Sequence, residues 1–284
     1  MAIPRAAFPR IANFVAFLLV LLVNGLIFFL PLGKDLLGSN PQTPLDPQVV
    51  TLAVWVPIYG LMTLFAIYQL MPYTYNCEYI KRGISPYFVS HCLGNVGWML
   101  TQAYIPSDSR YVELIFLYFM LLCLAMSYFS VSFIFRRDIS QGHGSNDHYY
   151  LHSIFGFSWL SMYFAWIICS AFTVSFDALT SLDHGAYEDA AISFAAIGVL
   201  TLIILAVGRD ALFGAVVLWV AIWLAISNRV HGQEVDYDLQ WPLFTSATTI
   251  ASILALATAA TFVRNVLFLL MRFKQQRIIE KESA

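Results

Sequence analysis

The chain has 284 residues, of which 60% are hydrophobic and only 11% charged, with a net charge of −2. A soluble domain carries about 25% charged residues, so this composition excludes an ordinary soluble protein and specifies an integral membrane one. The slightly acidic balance offers no general attraction to nucleic acid.

A helix needs roughly 20 apolar residues to cross the hydrocarbon. Eight runs qualify, at about 12–32, 48–71, 87–106, 111–135, 151–176, 190–207, 211–228 and 243–263. The expected fold is therefore all-α, a polytopic membrane bundle of about eight transmembrane helices. The first run is long and no small-residue cleavage site follows it, so it reads as a span rather than a signal peptide.

Polar and amphipathic residues at membrane depth face the bundle interior, because an unpaired polar group in hydrocarbon costs several kcal/mol. Span two contains "AVWVPIYGLM". Trp55 and Tyr59, four apart, share a helix face. Pro57 between them removes a backbone hydrogen bond and is expected to kink the span. Span three, "SHCLGNVGWMLTQAY", is the most polar. His91, Asn95, Trp98 and Gln102 form one stripe, and Gly94 and Gly97 let a second helix, or a second copy in a homodimer, come close. In span four, Glu113 lies near the outer end, which gives no support to a proton relay through the bilayer. Span five repeats the aromatic pattern with Trp159, Tyr163 and Trp166 at i, i+4 and i+7.

Between spans four and five, "HGSNDHYYLH" carries His143, His148 and His152. No matched carboxylate or cysteine accompanies them, so interfacial histidines are expected rather than a metal site. The acidic segment 177–189 reads as a solvated outer loop, with a cation site at Asp177, Asp183, His184 and Glu188 as the alternative. Spans six and seven are joined by "VGRDA" and should form a tight hairpin. Span seven holds Trp219 and Trp223, and the basic tail 264–284 continues the last helix.

The Lys and Arg residues alternate in density from loop to loop. Twelve fall at the two ends and in the even-numbered loops, three in the odd-numbered ones. By the positive-inside rule both termini are expected in the cytoplasm. Cys77, Cys92, Cys123 and Cys169 are scattered, without CxxC or a paired framework, and read as small buried hydrophobes. There is no P-loop, HExxH, Ser-His-Asp order or Gly-rich nucleotide fingerprint, so no catalytic residue and no required cofactor is expected.

"PLDPQVVTLAVWVPIYGLMTLFAIYQLMP" and "LGNVGWMLTQAY" resemble the second and third helices of the TspO/MBR family, the translocator or tryptophan-rich sensory proteins. The shared features are a proline-rich approach, a W-x-x-x-Y helix, and N-x-x-W on the next helix. The resemblance covers roughly residues 10–176, which implies a five-helix core at 1–176, three further helices at 177–263 and a tail at 264–284. It also implies a lipophilic ligand, porphyrin- or haem-like or sterol-like, in an aromatic pocket. Trp55, Pro57, Tyr59, Asn95 and Trp98 match the family's pocket positions, with Trp159 and its stripe neighbour Tyr163 as further walls. A sensor or carrier is the first functional expectation. A transporter of a small amphipathic solute and a porphyrin-degrading enzyme are the alternatives.

Overall fold

A computed structural model describes residues 8–29, 53–75, 77–104, 110–140, 153–179, 186–230 and 237–283. Among them are eight α-helices and no strand. They are α1 (Phe8–Phe29), α2 (Trp55–Tyr68), α3 (Ser85–Tyr104), α4 (Arg110–Ser140), α5 (Ser158–Leu179), α6 (Ala186–Ile203), α7 (Ala211–Val230) and α8 (Tyr237–Ser283). Each occupies one of the eight apolar runs, as the sequence requires. Five stretches are long and apolar enough to cross a membrane: Phe8–Ile27, Tyr111–Arg137, Phe155–Phe176, Ala190–Gly208 and Leu243–Phe268. α3 is 20 residues long, but its polar stripe lowers its hydropathy. The histidines at 143–152 and the proposed cation ligands of 177–189 lie outside the described side chains.

The chain divides into two compact units, Met1–Ala190 and Ala191–Ala284. In the first, α3 packs against α1 and α4, and α5 against α4 and α2. The two glycines of span three serve the α3–α4 contact. A Cβ on Gly94 would stand 2.6 Å from Met120 Cγ, and one on Gly97 would run into the Phe116 ring. Only hydrogen at these positions lets α4 lie this close.

α1 and α2 run antiparallel, and two buried polar contacts fix their register. Near the start of α1, Arg10 is 2% exposed. Its guanidinium donates to the Gln69 carbonyl at 3.2 Å, to Thr74 Oγ1 at 3.0 Å and to the Thr74 carbonyl at 2.6 Å, just past the end of α2. It also lies 4.7 Å from the centroid of the Tyr75 ring. One turn on, Asn13 Nδ2 donates to Gln69 Oε1 at 3.0 Å and to Ser85 Oγ at 3.2 Å. Further along the pair, Asn24 meets Tyr59.

The described α-helix α2 begins at Trp55, directly after a 3-10 turn at 53–54, and Pro57 sits in its first turn; the part of span two before Ala53 lies outside the described residues. Backbone N–H groups there have no partner within a helix, and a proline costs nothing by lacking one. Pro57 is also exposed, on the face opposite the buried Ile58 and Met62.

At the Arg10 end, Arg137 of α4 donates to the Glu78 carboxylate, and Arg82 pairs with the same group at 3.5 Å. The bond from Arg137, and then the charge of Arg82, hold the Glu78 carboxyl below the usual carboxylate range. A folded-state pKa below the unfolded one gives stability that is present above the unfolded value, about 4.3. That stability is lost as pH falls through the lower, folded value. Glu78→Gln should therefore flatten the acid limb of thermal stability below about pH 4.3. A pH series of detergent melting curves checks this. The wild-type contribution should also shrink with added salt, because the pair is solvent-exposed.

In the second unit α7 and α8 pack together. The turn before α7 has the tightness expected of "VGRDA". Ile204–Gly208 form a π-helical turn and Arg209 takes the left-handed conformation at φ 57°. Asp210 Oδ1 then caps α7 by accepting from the Phe213 N–H at 3.1 Å. Asn265 Nδ2 of α8 donates to the Arg209 carbonyl at 3.0 Å, satisfying the bent backbone. Trp219 and Trp223 pack edge to face on each other, with centroids 5.6 Å apart.

Candidate functional site

The amphipathic side chains of α2, α3 and α5 converge within the first unit. Trp55 stacks on Tyr59 at 5.0 Å between centroids, as the i, i+4 spacing demands. The same indole lies 6.2 Å from Trp98, 5.4 Å from Tyr163 and 5.8 Å from Trp166. Trp55 is thus the hub at which three helices meet. Trp98, Tyr163 and Trp166 are buried, whereas Trp55 and Tyr59 are half-buried. One side of the cluster is therefore accessible.

A chain of polar side chains runs behind the rings. Tyr59 Oη donates to Asn24 Oδ1 at 3.2 Å, and Asn24 Nδ2 donates to Asn95 Oδ1 at 3.0 Å. Asn95 Nδ2 in turn donates to Tyr163 Oη at 2.9 Å. Four helices, α2, α1, α3 and α5, are joined in sequence through two amides. Asn24 Nδ2 also reaches back to the Val20 carbonyl at 2.8 Å, so the amide inside α1 is held from both sides. Asn95 is fully buried and ties α1, α3 and α5 together.

The far end of α3 carries a second polar group. Trp98 Nε1 donates to Glu113 Oε1 at 2.8 Å, and Gln102 Nε2 donates to the same oxygen at 2.7 Å. Glu113 comes from the start of α4, which the tight α3–α4 packing brings alongside.

The expected residues do not all meet in one place. Trp55, Tyr59, Trp98 and Tyr163 share the cluster, and Asn95 backs it. Pro57 points outward. Trp159, 0% exposed, lies deeper, against Phe65 at 5.3 Å, Phe88 at 5.5 Å and His91 at 5.8 Å. The reason is axial. Trp159 and Trp166 share a stripe but are seven residues, about 10 Å, apart along α5. α2 runs antiparallel to α5, so Trp55 meets the later tryptophan and Phe65 the earlier. His91 bridges the two groups, 5.6 Å from Tyr163. Among the described residues, Trp159 Nε1 and Trp166 Nε1 are buried donors without a partner, and the second belongs to the half-open cluster.

Asn24 and Glu113 are site residues that periodicity did not select. The available signal was the polar residue itself. Asn24 is the one polar side chain in the second half of α1, between apolar neighbours, and Glu113 is the acid in the first turn of α4.

The sequence model of a family described as TSPO-like protein matches residues 10–271. The chain belongs to this family. The match runs from α1 into α8, so it takes in the last three helices as well as the five that carry the W-x-x-x-Y and N-x-x-W features. No curated protein and no solved structure matches the chain.

Proposed function

We infer that this TSPO-like chain binds a flat, lipophilic small molecule against Trp55 and Tyr59, as a sensor or carrier in the membrane. A tetrapyrrole-like or sterol-like body suits such a surface. Binding sites for such molecules are mostly apolar and aromatic, with a few polar groups that fix orientation. The observation that carries the reading is the convergence of Trp55, Tyr59, Trp98, Tyr163 and Trp166 from three helices, with one side left accessible. Trp166 Nε1 supplies an unspent donor in the same cluster.

The orientation inferred is with both termini in the cytoplasm. Arg10, Glu78 with its partners Arg82 and Arg137, and the end of α2 all lie at one end of the first unit. That clustering supports the positive-inside reading of the loops. On this reading the Trp55–Trp98–Glu113 end faces the outer leaflet.

Titration of the detergent-purified chain with protoporphyrin IX, followed by tryptophan quenching, and with a fluorescent sterol, followed by energy transfer, tests the reading. At least one probe should bind saturably. Trp98→Phe and Asn95→Ala should weaken it tenfold or more, a change of about 1.4 kcal/mol. Linear, non-saturating signals from both probes, unchanged in the variants, would refute a ligand site.

A further inference from the structure

Glu113 stands beside the aromatic cluster, hydrogen-bonded to its Trp98. Both of its hydrogen bonds, from Trp98 Nε1 and Gln102 Nε2, fall on Oε1. Both donors are neutral. Among the described side chains, which do not include that of Arg110, no Lys, Arg or His pairs with it. By contrast Glu78, at the other end of the unit, has two arginines.

Acids within membrane helices are rare and ordinarily pair with a cation or serve a functional path. A structural tie between α3 and α4 needs only a neutral acceptor. A glutamine carbonyl would accept from Trp98 and Gln102 as well as a carboxylate oxygen does, and would avoid the cost of partly burying a charge. The carboxylate therefore provides something the tie does not use: a negative charge with a second oxygen, Oε2, beside an indole.

Indole faces attract cations, most strongly where water is excluded. The Glu113 carboxylate is bonded to Trp98, whose ring lies 6.2 Å from that of the half-buried Trp55, and a carboxylate beside indoles is the complement of an ammonium group on an apolar body. We propose that the site selects ligands whose polar end is a cation, a protonated or quaternary amine that pairs with Glu113. The proposal rests on the reading of the aromatic cluster as a ligand site and narrows its ligand class. A tetrapyrrole would fit only with its carboxylates turned away from Glu113.

Two sources supply such a group: a free lipophilic amine and the choline headgroup of a membrane lipid. The test uses a naphthyl probe in three forms, carrying trimethylammonium, its uncharged tert-butyl isostere, or a carboxylate. Each is titrated against the wild type and Glu113→Gln in maltoside detergent, with and without added phosphatidylcholine. The quaternary group keeps its charge at every pH. The ratio of ammonium to isostere affinity, compared between the two proteins, cancels partition into micelles.

The wild type should favour ammonium over isostere at least tenfold and disfavour the carboxylate. In Glu113→Gln the preference should fall to about twofold or less. Retention of the wild-type preference in phosphatidylcholine assigns the site to free amines; its loss there assigns it to the lipid headgroup. Saturable binding of all three forms with equal affinity by the wild type would overturn the cation proposal and leave the ligand site standing, and this arm needs no variant to fold. A preference that survives in Glu113→Gln would also overturn it. Absence of saturable binding by any form, together with failure of both porphyrin and sterol, would overturn the ligand site and the proposal together.

Discussion

Arg10→Ala should destabilise the first unit by about 3 kcal/mol, the largest loss expected from a single polar substitution in this protein. The guanidinium satisfies the Gln69 and Thr74 carbonyls, which lie beyond the end of α2. An alanine removes a charge-assisted bond from each, and such bonds are worth about 1.5–3 kcal/mol, although the Gln69 carbonyl keeps Thr74 Oγ1 and the Thr74 carbonyl keeps the Cys77 N–H. Thr74 Oγ1 suffers less, because it also bonds the Gln69 and Met71 carbonyls. The truncation additionally opens a void where a long side chain was packed, and cavities add their own cost. Relief of a buried charge offsets part of this. Arg10→Lys should recover only part of the loss, since one ammonium point charge replaces a planar fork that reaches two carbonyls at once. Reversible unfolding in mixed micelles measures both variants. A loss below about 1 kcal/mol in Arg10→Ala would show that water replaces the guanidinium.

Asn95→Leu should cost about 2 kcal/mol. The leucine removes an acceptor from Asn24 and a donor from Tyr163 and returns nothing. Hydrogen bonds between membrane helices average about 0.6 kcal/mol and reach about 1.7. Two such bonds, with a partly buried amide hydrogen left over on Asn24, bring the total to this range. Asn24 and Asn95 should also be coupled. A double-mutant cycle with Asn24→Leu should return an interaction of about 1 kcal/mol, because the second substitution finds the bond already broken. Strict additivity would mean that the two amides contribute independently and that the four-helix tie is not a unit.

The apolar runs made the eight helices legible, because length and hydropathy alone decide whether a segment can cross a bilayer. The stripes in α3 and α5 were legible for the same kind of reason. Spacing of i, i+4 and i+7 puts side chains on one face whatever surrounds them. The "VGRDA" turn was also readable, since five residues between two apolar runs leave no other connection. Pro57 shows the limit of local reading. The same residue kinks a helix interior and costs nothing in a first turn, and only the position of the helix start tells the two apart.

What lay beyond the sequence was which stripe meets which. Trp159 and Trp166 share one face of α5, yet the antiparallel register with α2 gives Trp166 to Trp55 and Trp159 to Phe65. Asn24 gains its importance from Tyr59 and Asn95, which are 35 and 71 residues away. Glu113 joins the aromatic site because Gly94 and Gly97 let α4 approach α3. The lipid surroundings of this protein, its helices and the faces they present follow from transfer free energies and helical period, so they can be read residue by residue. The axial register of one helix on another cannot. Register depends on the packing of side chains distant in sequence, and it is what assembles an aromatic cluster, a four-helix polar tie and the Glu113 carboxylate around Trp98.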